Sequence, residues 1–342
     1  MENLVKRDLV IDNLRFILIC IIVLNHFNYN LDLSPFIYSK TLLYNEIPTP
    51  ALGLISGLLF FNSNLNFEII SKKIIRRIRS LLLPFVLWSF ILLFIYNISH
   101  VMFFNLNLNS ELLTVNEFSR FNLINYLLIL LSPQNSLWYL QNLTFIMPFT
   151  YGLYFLLRKK LFLFFFLIII FLFHYKLNIF FSVRFLPFFL LGAYLSFNNY
   201  SVLKIKMHIF PLFTLLITSF LVNNTYSYDS FLLIIFHLIN VYIFYVLLYN
   251  FVEKTKYDFI AKLSGYSFFI YLTHIIINSF IIKSYIMFFG DFLLTTKFSF
   301  IIINLIFFII SISISVMMAK LLETRFKNLY SILVGKRNFN HS

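Results

Sequence analysis

The sequence predicts an all-α integral membrane protein with about ten transmembrane helices and both termini in the cytoplasm. Three observations lead to this prediction: an apolar composition, a series of apolar segments of about 20 residues, and an uneven distribution of basic residues. Of the 342 residues, 61% are hydrophobic and 12% are charged, and the mean hydropathy is +0.88. Soluble domains have about 45–50% apolar and about 25% charged residues. A soluble catalytic domain is therefore not expected, and with 7 Gly and 8 Pro neither is a collagen-like or disordered chain.

The transmembrane segments follow from the length of the apolar runs, because a helix needs about 20 such residues to cross a bilayer. The first run lacks a small-residue cleavage site, so we expect a retained helix rather than a removed signal peptide. The predicted spans are residues 9–29, 46–63, 78–100, 136–157, 160–175, 177–197, 207–223, 228–250, 265–288 and 297–321. An even number of crossings places both termini on one side.

The basic residues give the orientation, since cytoplasmic loops of membrane proteins collect Lys and Arg. With the N-terminus inside, twenty of the 27 basic residues fall in cytoplasmic segments and five on the opposite side, while Arg15 and Arg184 fall within spans. The net charge of +14 is then mostly a matter of topology, and no nucleic-acid partner is expected.

The chain is predicted to form a single transmembrane domain, residues 1–342, with a short cytoplasmic tail from about residue 326. The outer segment 101–135 contains an apolar patch, Phe121 to Leu131, that we interpret as an interfacial helix or a cap over a cavity. Cys20 is the single cysteine, so neither a disulfide framework nor a thiolate metal site is expected.

Ionisable residues inside a membrane cost about 2.5–3.5 kcal/mol each on insertion scales and are candidates for function. Arg15 and His26 lie eleven residues apart in the first span. At 100° per residue they share one face of a helix, separated by a rise of about 16 Å. We therefore expect a polar lane along this face; the alternatives are an Arg15 that extends toward the headgroups and a His26 bonded to a neighbouring carbonyl.

Two further spans carry polar residues. Arg184 precedes an apolar run near the outer surface, and His274 lies in mid-span with Ser267 and Tyr271 at preceding helical spacings. A structural hydrogen bond to a neighbouring helix is the simpler explanation for His274.

Together these motifs resemble the acyltransferase family three membrane proteins, whose mark is an arginine and a histidine separated by ten residues, here Arg15 and His26. Later segments resemble the same family in order. They are PALGLISGLLFF around Ser56, KKIIRRIRSLLLPFVLWS from Lys72 to Ser89, SLWYLQNLTF around Trp138, RFLPFFLLGAYLS around Gly192 and SGYSFFIYLTH from Ser264 to His274. The resemblance covers residues 8 to 326 and implies ten helices with cytoplasmic ends.

The resemblance implies a bacterial, multi-pass inner-membrane enzyme. Its donor would be cytoplasmic acetyl-CoA or another acyl-CoA, and its acceptor a hydroxyl of a cell-surface or lipid-linked glycan such as O-antigen, capsule or exopolysaccharide. Many members carry a fused esterase-like domain, whereas this chain resembles the stand-alone type. Membrane lipid is the other expected partner, and no metal is implied.

This chemistry assigns roles to the candidate residues. His26 would act as general base or form an acyl-histidine, and Arg15 would hold the pantetheine end or polarise the thioester carbonyl. Guanidinium and ammonium groups suit a donor rich in phosphate. The predicted donor-binding residues are Lys73, Arg76, Arg77 and Arg79, and the predicted substrate-binding residues are Trp138, Tyr139, Arg184, Tyr271 and His274. The alternatives from other classes are a multi-span glycan transporter and a polysaccharide polymerase.

Overall fold

A computed structural model describes most of the predicted helical segments. The described residues are 9–27, 48–61, 67–103, 137–159, 161, 164, 165, 168, 185–198, 241–246, 248–252, 258–290 and 297–335. Within these ranges the backbone is helical or in turns and contains no strand. The predicted all-α class is therefore confirmed for this part of the chain.

Ten helical segments have defined bounds, and our labels number segments rather than membrane crossings. They are α1 (Leu9–Asn25), α2 (Pro48–Phe60), α3 (Phe67–Phe103), α4 (Trp138–Ile146), α5 (Thr150–Arg158), α6 (Leu186–Phe197), α7 (Asp258–Ser264), α8 (Ser267–Phe289), α9 (Lys297–Arg325) and α10 (Lys327–Leu333). Residues 241–246 and 248–252 are also helical.

Several helices differ from the predicted spans for identifiable reasons. The span predicted at 78–100 is the later part of α3. Because α3 begins at Phe67, the basic cluster lies on the helix itself. The span predicted at 136–157 is divided into α4 and α5 by a 3₁₀ turn at Met147–Phe149. Pro148 explains this break because proline lacks the N–H that an α-helix interior requires.

Two described helices are long and apolar enough to cross a membrane, α8 and the Ile302–Arg325 part of α9. Large apolar side chains on several helices are exposed, including Phe94 at 66% and Phe280 at 68%. Such faces suit contact with lipid. The predicted spans at 160–175 and 207–223 and the patch at Phe121 to Leu131 lie almost wholly outside the described residues, so the count of ten crossings and the cytoplasmic termini stay predictions.

Helices α2 and α6 pack with their backbones in close approach. Gly53 and Gly57 form a G-x-x-x-G pair on α2, and Gly192 faces them from α6. A Cβ atom on Gly57 would overlap the carbonyl oxygen of Phe189, and one on Gly192 would overlap that of Leu54. Small residues at these positions permit the van der Waals packing that drives helix association in membranes.

Helix α1 lies at the centre of the described helices, in contact with α2, α7, α8 and α9. Helix α3 contacts α4, α5 and the C-terminal α10. Trp88 on α3 donates from Nε1 to the carbonyl oxygen of Leu333 at 3.2 Å. Gly335, in the left-handed region with φ of 75°, lies directly against the backbone of Ser80. The predicted tail from residue 326 is therefore a helix docked on α3 as far as Gly335.

Candidate active site

A small cavity opens where α1, α2, α3, α4, α6 and α8 meet. Its volume is about 50 Å³, enough for a few water molecules at roughly 10–15 Å³ each. The lining residues are Arg15, Ile19, Leu52, Ser56, Leu59, Phe60, Arg77, Leu81, Tyr139, Leu143, Met147, Phe189, Ser267 and Phe268. Polar residues from five different helices thus line a predominantly apolar cavity.

Two guanidinium groups, those of Arg15 and Arg77, line this cavity. Arg15 Nη1 lies 3.8 Å from Asp12 Oδ1, and the Arg15 side chain is 26% exposed. Burial lowers the pKa of Arg77, and the positive charge of Arg15 lowers it further. Because two like charges face one apolar space, an anionic or strongly polarised ligand group would relieve their repulsion. The cavity is therefore suited to a negatively charged ligand.

A serine and a tyrosine form the other polar feature of the cavity wall. Ser56 Oγ donates to the carbonyl oxygen of Leu52 at 2.8 Å and lies 2.7 Å from the Tyr139 hydroxyl. Because the Ser56 proton is used on Leu52, the Tyr139 hydroxyl is the donor in the second bond. Tyr139 was a predicted substrate-binding residue, whereas Ser56 had not been given a role.

The predicted donor-binding cluster on α3 divides into groups with different surroundings. Arg77 enters the cavity, whereas Arg76 and Arg79 are exposed. Lys73 is half-buried and donates from Nζ to the carbonyl oxygen of Phe60 at 3.1 Å. Burial lowers the pKa of Lys73, and the charges of Arg77 and Arg76 lower it further. Arg77 is thus the member of the cluster that shares a site with Arg15.

His26 lies in the turn that ends α1. Its backbone N–H reaches the carbonyl oxygens of Ile22 at 3.3 Å and Val23 at 3.2 Å, and its side chain is half-buried. The ring is half-buried rather than enclosed, and a neutral imidazole has one nitrogen free to accept a proton. This position therefore suits a histidine that accepts a proton during a reaction.

A series of aromatic contacts connects the cavity to His26. The ring of Tyr139 packs edge to face on Tyr271 with centroids 5.7 Å apart, and Tyr271 lies 5.7 Å from the ring of His274. The His274 and His26 rings are 5.0 Å apart. Backbone N–H groups of Tyr139 and Leu140, in the first turn of α4, reach the Tyr271 hydroxyl. The structure thus brings Tyr139, Tyr271, His274 and His26 together.

A polar network supports the end of α1, and sequence reasoning had missed it. Asn278 Nδ2 donates to the carbonyl oxygen of Val23 at 3.1 Å, and Ser311 Oγ donates to Asn278 Oδ1 at 2.6 Å. Asn278 is four residues after His274, so both lie on one face of α8. This four-residue spacing was the feature of the sequence that could have indicated the role of Asn278. The network gives the carbonyl of Val23 a second hydrogen bond beside the one from the His26 N–H, and so ties the last turn of α1 to α8 and α9.

The predicted polar lane along α1 is open only at the Arg15 end. The cavity includes Arg15 and Ile19 but not His26. Ile22 and Val23, between them, are buried at 7% and 0% exposure. Apolar packing around these two side chains accounts for the closure. Both predicted site residues nevertheless face other helices, as their shared helical face requires.

Among the described residues, Tyr139 is the predicted substrate-binding residue that lines the cavity, while Tyr271 and His274 follow it toward His26. Trp138 begins α4 and is partly buried against the core, but its side chain does not line the cavity. Arg184 lies outside the described residues. The substrate-binding roles of both residues stay predictions.

Comparison with known proteins gives the family of the chain. A family described as Acyltransferase domain matches residues 8–320. No curated protein and no solved structure matched the chain. The match covers nearly the whole length and includes every helix that contributes to the cavity and to the His26 environment. The chain therefore belongs to the acyltransferase family three, and it is a membrane acyltransferase.

Proposed function

We propose that this acyltransferase moves an acetyl group, or another short acyl group, from cytoplasmic acyl-CoA to a hydroxyl of a cell-surface or lipid-linked glycan. It would act as a multi-pass protein of a bacterial inner membrane. The observation that supports this proposal most is the cavity in which Arg15 and Arg77 converge beside Ser56 and Tyr139. Family membership argues against the transporter and polymerase alternatives.

The donor end of the site is the arginine pair. A guanidinium group can form two parallel hydrogen bonds to a phosphate and also polarise a carbonyl oxygen. Arg77, on the basic part of α3, suits the phosphates or the polar pantetheine arm. Arg15 suits the pantetheine end of the donor, because the rise of about 16 Å from Arg15 to His26 places the reacting thioester closer to the base than to this guanidinium.

The reacting base is His26. A sugar hydroxyl oxygen attacks the thioester carbonyl carbon while the imidazole accepts the hydroxyl proton. The intermediate then collapses, the carbon–sulfur bond breaks, and the proton passes to the departing thiolate. An acyl-histidine route is the alternative, in which the imidazole nitrogen takes the acyl group first and then delivers it to the hydroxyl.

The closed stretch between the cavity and His26 sets a requirement on the donor. The rise from Arg15 to His26 along α1 is about 16 Å, and the cavity ends at Ile19. The thioester arm must therefore extend past Ile22, which requires the helices around this side chain to separate when acyl-CoA binds.

The proposed reaction is tested on the product. Surface glycan from cells with and without the gene is compared by mass spectrometry before and after mild alkali. We expect the mass of one acyl ester per modified residue only in cells that carry the gene, and its removal by alkali. Unchanged glycan mass in both strains would contradict the glycan acceptor.

The proposed base is tested with His26→Ala, expressed in the strain that lacks the gene. The ester should be abolished although the protein is made and inserted at the level of the original chain. Arg15→Lys, which keeps the charge but loses the planar fork, should remove most of the activity. Full acylation by the His26→Ala protein would remove this residue from the mechanism.

A further inference from the structure

His274 is the most enclosed ionisable side chain beside the proposed base. It is 1% exposed. Its Nδ1 atom lies 2.5 Å from the carbonyl oxygen of Tyr271, while its Nε2 atom is buried and has no hydrogen-bond partner. A buried polar atom left in this way costs about 1–3 kcal/mol. Such a cost points to a role for Nε2 in a state of the enzyme other than the resting one.

The hydrogen bond to Tyr271 settles which nitrogen of His274 carries the proton. A carbonyl oxygen only accepts, so Nδ1 must donate and a neutral His274 must hold its proton there. Nε2 is then left with a lone pair. His274 in this form can accept one hydrogen bond, and cannot donate one, on the side away from Tyr271.

The neighbouring imidazole is the group that can meet this lone pair. The centroids of the His26 and His274 rings are 5.0 Å apart with an angle of 48° between the rings. At this separation, a turn of the half-buried His26 ring brings ring nitrogens within hydrogen-bond distance. When His26 accepts a proton, both of its nitrogens become donors, so one of them can bond to His274 Nε2.

We infer that His274 is a positioning residue whose Nε2 atom accepts a hydrogen bond from His26, orients that imidazole and stabilises its protonated form. The inference rests on the proposed function, in which His26 takes the hydroxyl proton. His274 keeps its own proton throughout, while His26 receives one from the sugar hydroxyl and gives it to the departing thiolate. The hydrogen bond from Asn278 to the carbonyl oxygen of Val23 holds the backbone at the end of α1, next to His26.

Two amide substitutions of His274 distinguish its hydrogen bond to Tyr271 from the proposed hydrogen bond to His26. His274→Asn can keep the donor near the Nδ1 position, which bonds to Tyr271, but places no acceptor near the Nε2 position. His274→Gln does the opposite, because its amide oxygen reaches the Nε2 position. A residue needed only for its bond to Tyr271 would tolerate Asn better than Gln, and a residue needed only for packing would change the stability of the fold without a specific loss of kcat.

The experiment measures acyl transfer from acetyl-CoA by the purified full chain with the two variants. We expect His274→Asn to lower kcat by about 100-fold, within the range of general acid–base contributions, with KM for acetyl-CoA unchanged. His274→Gln should stay within about 10-fold of the original chain, since it restores the acceptor.

Equal loss in the two variants, or a higher KM without a change in kcat, would overturn the inference. If the variants fail to fold, a measurement on the unaltered protein still tests the inference. Nitrogen-15 NMR of labelled histidines should show His274 protonated at Nδ1 and unprotonated at Nε2, and the reverse pattern would also overturn it. An active His26→Ala protein contradicts the proposed function, whereas an inactive one beside a fully active His274→Asn protein contradicts only the role of His274.

Discussion

The contrast between Arg77 and Arg76 gives the sharpest test of the donor site. The two residues are adjacent on α3 and have the same chemistry, but Arg77 lines the cavity and Arg76 is exposed. A hydrogen bond to a charged group contributes about 1.5–3 kcal/mol. At about 1.36 kcal/mol for each tenfold change in rate, Arg77→Ala should lower kcat/KM for acetyl-CoA by roughly 10- to 150-fold.

Arg76→Ala is the matched control because it removes the same charge from the same helix turn. An exposed ion pair is weak and screened by salt, so its loss should change kcat/KM by less than about 5-fold. The assay follows the transfer of a radioactive acetyl group from acetyl-CoA to glycan in inverted membrane vesicles, at several acetyl-CoA concentrations. Equal effects of the two substitutions, or an unaffected Arg77→Ala protein, would refute the assignment of the cavity to the donor.

The remaining predictions concern the cavity wall and the packing of the helices. Gly57→Ala should lower the thermal midpoint of the detergent-solubilised protein, because its Cβ would overlap the backbone of α6. Gly152→Ala is the control and should not lower the midpoint. Nothing lies within 4 Å of a Cβ at this position, and alanine favours the helix by about 1 kcal/mol. Tyr139→Phe keeps the ring but removes the hydroxyl, and acetyl transfer should fall by about 5- to 10-fold, the value of one neutral hydrogen bond of about 1 kcal/mol; an unchanged rate would place that hydroxyl outside the reaction. Asn278→Ala should lower the free energy of unfolding by about 1–3 kcal/mol, because the buried hydrogen bonds to the Val23 carbonyl and from the Ser311 hydroxyl are lost, and urea titration followed by tryptophan fluorescence measures this.

Helical periodicity predicted the parts of the site that lie on one helix. Arg15 and His26 are eleven residues apart, and their shared face could be worked out from the rotation per residue alone. The relation between Tyr271 and His274 followed in the same way. Intramembrane polarity was a sufficient signal in these cases because each group is costly in lipid.

Contacts between helices could not be obtained from the same pattern. Ser56 and Tyr139 are separated by 83 residues along the chain, and Asn278 by 255 from the carbonyl that it bonds. Which faces meet depends on the shapes of whole helices, including the glycine contacts of α2, and not on any local spacing. For the same reason the charge pattern of α3 could not separate Arg77 from Arg76.

The glycine-mediated contact between α2 and α6 has a consequence for how a donor enters. Leu52, Ser56 and Leu59 from α2 and Phe189 from α6 make one wall of the cavity, and two backbones in direct contact leave no side-chain layer that could rearrange. Interfaces packed this closely move as a block. Widening of the entrance must therefore come from displacement of the facing helices, so spin labels placed across α3 and α8 should report acetyl-CoA binding while a pair across α2 and α6 keeps its spacing.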